Sequence, residues 1–166
     1  ILITGGASGI GRLMALDLAG LGGRISVWDI DREKLDKVVA ELATGSEPAR
    51  GYHCNVAKRE DVYRVAAETT AAAGAVDILI NNAGVVSGRN FLELPDAQIE
   101  ATFAVNTLSL FWVTKALLPQ MIERRAGKIL LLGSAAALRG QKRASTYSAA
   151  RGAQLAYIQT AGIEAA

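Results

Sequence analysis

Short apolar runs alternate with helical patterns along the whole chain, and a polar or glycine-rich cluster follows each run. That alternation constrains the fold more than any compositional value. Ile1–Ile3, Ile25–Trp28, Tyr52–Val56, Val76–Ile80 and Lys128–Leu132 read as five strands. Helical spacing runs from Ile10 to about Leu21, with apolar positions at Ile10, Leu13, Met14, Leu16 and Leu18. A second helix follows Asp31, a plausible N-cap, and carries Leu35, Val38, Val39 and Leu42. A third spans Lys58 to Ala73 and stops at Gly74. A long pattern opens at Pro95 and Asp96 and reaches about Arg125, with Pro119 expected to bend or end it. Ser145 starts a last helix whose apolar positions are Ala149, Ala153, Ala156 and Tyr157. Loops are expected at Thr44–Ala49, Asn81–Gly84 and Gly133–Ala144.

Near-continuous apolar strands joined by helices imply a parallel sheet covered on both faces. Right-handed crossovers then give an α/β, Rossmann-type doubly wound sheet, in which ligands bind at the carboxyl ends of the strands. The unusual polar clusters all follow strands: Gly5–Gly11, Asp29, Asn55, Asn81–Gly84 and Ser134.

Composition removes several alternatives. Lys plus Arg number 18 against 16 Asp plus Glu, a net charge of +2, which is too even for a nucleic-acid binder. The longest charge-free run, Ala101–Thr114, is shorter than the roughly 20 apolar residues of a membrane span and contains Asn106. One cysteine, Cys54, and one histidine, His53, leave no intrachain disulfide and little basis for a metal site. Both read as strand residues. Arg139, Lys142 and Arg143 read as solvated loop cations.

Gly5, Gly9 and Gly11 lie between a strand and a helix. Such glycines permit a tight turn, close approach of a pyrophosphate, and helix–strand packing, with the helix N-terminus facing the phosphate. Asp29 closes the second strand about 20 residues later, where an acid suits ribose hydroxyls and repels a 2′-phosphate. NAD(H) is therefore favoured over NADP(H).

Taken together, Thr4-Gly5-x-x-x-Gly9-Ile10-Gly11, Asn81-Asn82-Ala83-Gly84, Asn106, Ser134 and Tyr147 resemble the short-chain dehydrogenase/reductase family in order and spacing. Val85-Val86-Ser87-Gly88 and the Phe111–Pro119 segment are most similar to its retinol-dehydrogenase-like branch. The resemblance implies hydride transfer between a nicotinamide and an alcohol or carbonyl carbon. Tyr147 would be the general acid/base, Ser134 would hold the substrate oxygen, and Asn106 would bend the long helix and hold a water in the proton relay. Ser8, Ile10, Asn55, Val56, Asn82, Ala83 and Gly84 would join the glycines and Asp29 around the cofactor, with Tyr147 and Arg151 at its nicotinamide end. A free tyrosine has a pKa near ~10, so a base at neutral pH needs a neighbouring cation.

One departure matters. The family's Tyr-x-x-x-Lys stands here as Tyr147-Ser148-Ala149-Ala150-Arg151. Four residues still place both side chains on one helix face. Arginine keeps the charge but cannot release a proton, so the expectation is cofactor binding with slowed chemistry. The alternative is a catalytically impaired NAD-binding or oligomerisation member. The resemblance also implies a small alcohol or ketone substrate and a homodimer or homotetramer. The half-strand at Ile1–Thr4 and the unstopped final helix imply one dinucleotide-binding domain over 1–166, incomplete at both ends and truncated after the fifth strand and its helix. With no targeting segment visible, a cytoplasmic location is expected.

Overall fold

In the computed structural model the described residues are 1–43 and 48–164; of the loop expected at 44–49, residues 44–47 lie outside them. Strands β1 (Leu2–Thr4), β2 (Ser26–Asp29), β3 (Arg50–His53), β4 (Ile78–Asn81) and β5 (Lys128–Leu131) form one parallel sheet in the order β3-β2-β1-β4-β5. Helices α1 (Gly9–Gly20), α2 (Arg32–Leu42), α3 (Arg59–Ala73), α4 (Asp96–Phe103), α5 (Ser109–Glu123) and α6 (Ser145–Glu164) make the crossovers.

The strand period of two sorts adjacent residues into two cores. Ile3, Val27 and Ile80 pack with Ala15, Leu35, Val38 and Leu42 of α1 and α2. Their neighbours Leu2, Trp28 and Leu79 pack with Val62 and Val65 of α3 and Val113, Leu117 and Met121 of α5. Each face of the sheet is thus covered, as continuous apolar strands require. The order reverses between β1 and β4, so the carboxyl ends of these two strands diverge and leave room for a ligand.

Local chemistry moves several boundaries. β3 ends at His53 instead of reaching Val56. Asn55 leaves the ladder because its Oδ1 accepts from Ala57 N at 3.0 Å and its own N–H donates to Asp61 Oδ2 at 2.8 Å. β4 starts at Ile78, not Val76. Val76 N–H donates to Gln120 Oε1, and Val76 O accepts from Arg124 Nη2. Asp31 caps α2 as expected, accepting from Lys34 N at 3.1 Å, and that contact, with the Lys34 ammonium, holds its carboxyl below the usual range. Gly74 ends α3 with φ +78°, where a side chain would be strained.

Pro119 does not end α5, which continues to Glu123. Leu117 and Met121, both buried, anchor the helix on either side of the proline. Gln120 and Arg124 tie its last turn to Val76 and Asp77. These contacts outweigh one missing helical hydrogen bond. The continuous helix Asp96–Glu123 is also longer than its charge-free run, and by length and composition it meets the test for a membrane-crossing helix. Its apolar residues Leu110, Val113, Leu117 and Met121 are instead buried in the protein core.

Two helices are phased differently from expectation. Ile10 and Leu13 of α1 are exposed, and the buried positions are Gly11 and Ala15. In α6, Ala149 and Ala156 face outward, while Thr146, Ala150, Arg151 and Gln154 are buried. The buried side of α6 thus carries polar Thr146, Arg151 and Gln154 beside Ala150, while Ala153 and Tyr157, of the expected apolar positions, are half-buried.

Candidate active site

The glycine loop turns because Gly5 and Gly9 adopt φ +62° and +52°, a region that disfavours side chains. A Cβ on Gly11 would lie 2.3 Å from the carbonyl oxygen of Gly5 and 2.5 Å from Asn82 Nδ2. Gly11 thus lets α1 press against the loop. Around Gly9 the space is open within 4 Å. No side chain caps the first turn of α1, leaving its N–H groups directed at the site.

Thr4 and Asn82 join β1 to β4 at this point. Thr4 Oγ1 accepts from the N–H groups of Asn82 and Ala83 at 3.1 and 3.2 Å. Asn82 Nδ2 donates to the carbonyls of Thr4 and Gly5 at 2.9 and 2.8 Å. Asp29, at the end of β2, accepts from Ala7 N at 3.0 Å and from Asp31 N at 3.0 Å. Its carboxylate is thereby fixed at the loop, with lone pairs to spare.

These groups open on a cleft of about 450 Å³. Of the residues expected at the site, Gly5, Ser8, Ile10, Asp29, Asn55, Val56, Asn82, Ala83, Gly84, Tyr147 and Arg151 line it. Gly9, Gly11, Asn106 and Ser134 are not among the lining residues. Ser134 is half-buried beside the lining residue Gly133. Its Oγ accepts from Ala136 N at 3.1 Å and caps a short 3-10 turn, Ala135–Ala137. His53 is an exposed strand residue. Cys54 lines the cleft, but burial, helped by the Asp61 charge, pushes its thiol up to about 12. Burial thus favours the neutral thiol. Arg139, Lys142 and Arg143 are exposed.

Asn106 lies in a π-helical turn, Ala104–Leu108, between α4 and α5. The expected local departure from α-helix is therefore present. The side chain is 0 % exposed and grips one residue at both ends. Oδ1 accepts from Val85 N at 2.9 Å, and Nδ2 donates to Val85 O at 2.8 Å. The Asn106 carbonyl accepts directly from Gln154 Nε2.

Arg151 is 7 % exposed. Its Nη1 donates to Leu132 O at 2.7 Å and to Gln154 Oε1 at 2.9 Å, and its guanidinium carbon sits 5.0 Å from the centre of the Tyr147 ring, within cation–π range. The guanidinium occupies space that only glycine leaves: a Cβ on Gly84 would be 2.4 Å from Nη2. The part of Gln154 and of the Leu132 carbonyl in holding Arg151 was not visible in the sequence. The available signal for Gln154 was an amide one helical turn from a cation.

The short chain dehydrogenase family pattern matches residues 1–166. The chain belongs to the short-chain dehydrogenase/reductase family. It is 43 % identical to epidermal retinol dehydrogenase 2 of Mus musculus over 99 % of this chain and 53 % of that protein, which supports the retinol-dehydrogenase-like branch. It superposes on NAD+-bound xylitol dehydrogenase with TM-score 0.94 and 31 % identity, covering 99 % of this chain and 64 % of the other. A metagenomic short-chain oxidoreductase in complex with NADP gives TM-score 0.94 and 29 % identity over 98 % and 74 %. The chain spans about half the length of the curated relative.

The short-chain dehydrogenase/reductase family uses NAD(P), and the residues lining the cleft fit that group. The positive-φ glycines, the open space at Gly9 and the uncapped α1 terminus suit a pyrophosphate. Asp29, Tyr147 and Arg151 line the same cleft.

Proposed function

We propose that this short-chain dehydrogenase/reductase is an NAD(H)-dependent oxidoreductase that interconverts an alcohol and a carbonyl, with Tyr147 as general acid/base. The observation that carries this reading is the buried Arg151 cation facing the Tyr147 ring inside the cleft that also contains Asp29. When bound, the nicotinamide supplies the hydride acceptor or donor. In oxidation Tyr147 oxygen takes the hydroxyl proton of the alcohol, and in reduction it returns a proton to the carbonyl oxygen. Arg151 keeps a permanent positive charge beside the Tyr147 ring. Ser134 holds the substrate oxygen. Asn106 fixes the Gly84–Val85 backbone on which the ring end of the cofactor would rest.

The Asp29 carboxylate supports NAD(H) over NADP(H), because it meets two hydroxyls readily and a phosphate only with repulsion. The substrate class is an apolar alcohol. Support comes from the retinol-dehydrogenase relative and from exposed Val86, Phe91 and Leu92 after β4. Exposed Leu108, Phe111 and Leu155 on the long and last helices support association into a homodimer or homotetramer.

A second reading, an NAD-binding member with little catalysis, is favoured by Arg151 itself, which holds a charge but passes no proton. Turnover of Arg151→Lys separates the two. A faster variant supports an enzyme slowed by arginine. A variant no faster than the parent contradicts the lysine argument.

A further inference from the structure

A buried guanidinium normally has a carboxylate beside it. Among the described residues Arg151 has none: its protein partners are the neutral oxygens of Leu132 and Gln154. Its Nε is buried without a hydrogen-bond partner. Gln154 is 1 % exposed and has both halves of its amide engaged, Oε1 with Arg151 Nη1 and Nε2 with the Asn106 carbonyl. Burying a glutamine is tolerated only when both ends are satisfied. Here one end holds the cation and the other holds the π-helical turn.

We propose that Gln154 is a positioning residue that clamps Arg151 for the bound dinucleotide. Its Oε1 holds Nη1 beside Leu132 O while its Nε2 is anchored on the Asn106 carbonyl, so that the opposite edge of the guanidinium is presented at Gly84 to vicinal ribose hydroxyls. Three observations meet in this arrangement. The missing Cβ of Gly84 accommodates Nη2, Arg151 lines the cleft while Gln154 lies behind it, and the Gln154 amide reaches the same turn whose Asn106 side chain holds Val85. Arginine and glutamine thus act as one unit. The glutamine supplies the acceptor that turns a long, planar cation to a single orientation. The inference rests on the NAD(H) reading for the identity of the ligand, not for the clamp itself.

The test uses the full-length protein, NADH binding by fluorescence titration, and urea unfolding of the ligand-free protein. Gln154→Leu should weaken NADH binding about tenfold, the scale of one hydrogen bond to a charged group. Gln154→Glu retains an acceptor for Arg151 and should stay within about threefold of the parent. A role limited to supporting the Asn106 carbonyl predicts the reverse, since a carboxylate facing that carbonyl is worse than leucine. In ligand-free protein Gln154→Leu should lower stability in the parent and much less in an Arg151→Met background. Equal losses in both backgrounds, or unchanged NADH affinity in Gln154→Leu, overturn the clamp. A parent that binds no NADH overturns the cofactor reading and the ligand named here, while the Arg151→Met comparison still decides whether Gln154 holds Arg151.

Discussion

Gly84 and Arg151 share one space: an alanine Cβ at position 84 would lie 2.4 Å from Arg151 Nη2 and 2.9 Å from Asn106 Oδ1. Gly84→Ala must therefore displace the guanidinium or the asparagine. The expected result is NADH binding weakened by about tenfold or more. The loss should be smaller when Arg151 is first replaced by Met, because the closer of the two clashes is then relieved and only the one with Asn106 remains. Fluorescence titration of the two pairs of proteins checks this.

Asn106 ties the π-helical turn to Val85 through two hydrogen bonds. Asn106→Leu removes both and strands the Val85 N–H and carbonyl. The cost should be about 1–2 kcal/mol of folding stability, since the two Val85 groups are only part-buried. Asn106→Asp keeps the acceptor for Val85 N but loses the donor and turns a carboxylate oxygen on the Val85 carbonyl. Urea denaturation should rank parent above both variants.

Asp29 serves the glycine loop as well as the cofactor, since it accepts from Ala7 N and Asp31 N. Asp29→Ser should reduce NADH affinity by about tenfold and narrow or reverse the preference over NADPH. Parallel NADH and NADPH titrations read this ratio. Equal affinity of the parent for the two would contradict the role given to Asp29.

Asp61 holds the turn after β3. The Asn55 N–H, and then Arg64, keep its carboxyl below the ordinary carboxylate range. A depressed folded-state value stabilises the fold above the unfolded value of ~3.9, and that contribution fades as pH falls through the folded one. Asp61→Asn should therefore cost about 1 kcal/mol at neutral pH. The gap between parent and variant should close in acid. Unfolding curves at neutral and acidic pH measure the difference.

Gly5, Gly11 and Asp29 were legible from their spacing against strand and helix ends, whereas Tyr147 stood out only through the family resemblance. The two-sided sheet was also legible, since Leu2 and Ile3 both need an apolar face. Gln154 was not. Its partners, Asn106 O and Arg151, come from the folded arrangement of two helices, and the alanine pattern of α6 included Ala149 and Ala156, which face outward. Pro119 misled because propensity is local, whereas Leu117, Met121 and Gln120 hold α5 through tertiary contacts. The early end of β3 followed from Asn55, whose side chain competes with the ladder.

The central claim is that Tyr147, facing Arg151 in an NAD(H) cleft, moves the proton. The direct measurement is NADH formation by the full-length protein across primary, secondary and retinoid-like alcohols, for the parent and for Tyr147→Phe. The account predicts slow but measurable turnover in the parent. Tyr147→Phe should lower it by about 10²-fold or more, with NADH affinity little changed. Equal rates in the two proteins, with NADH bound by both, would contradict it.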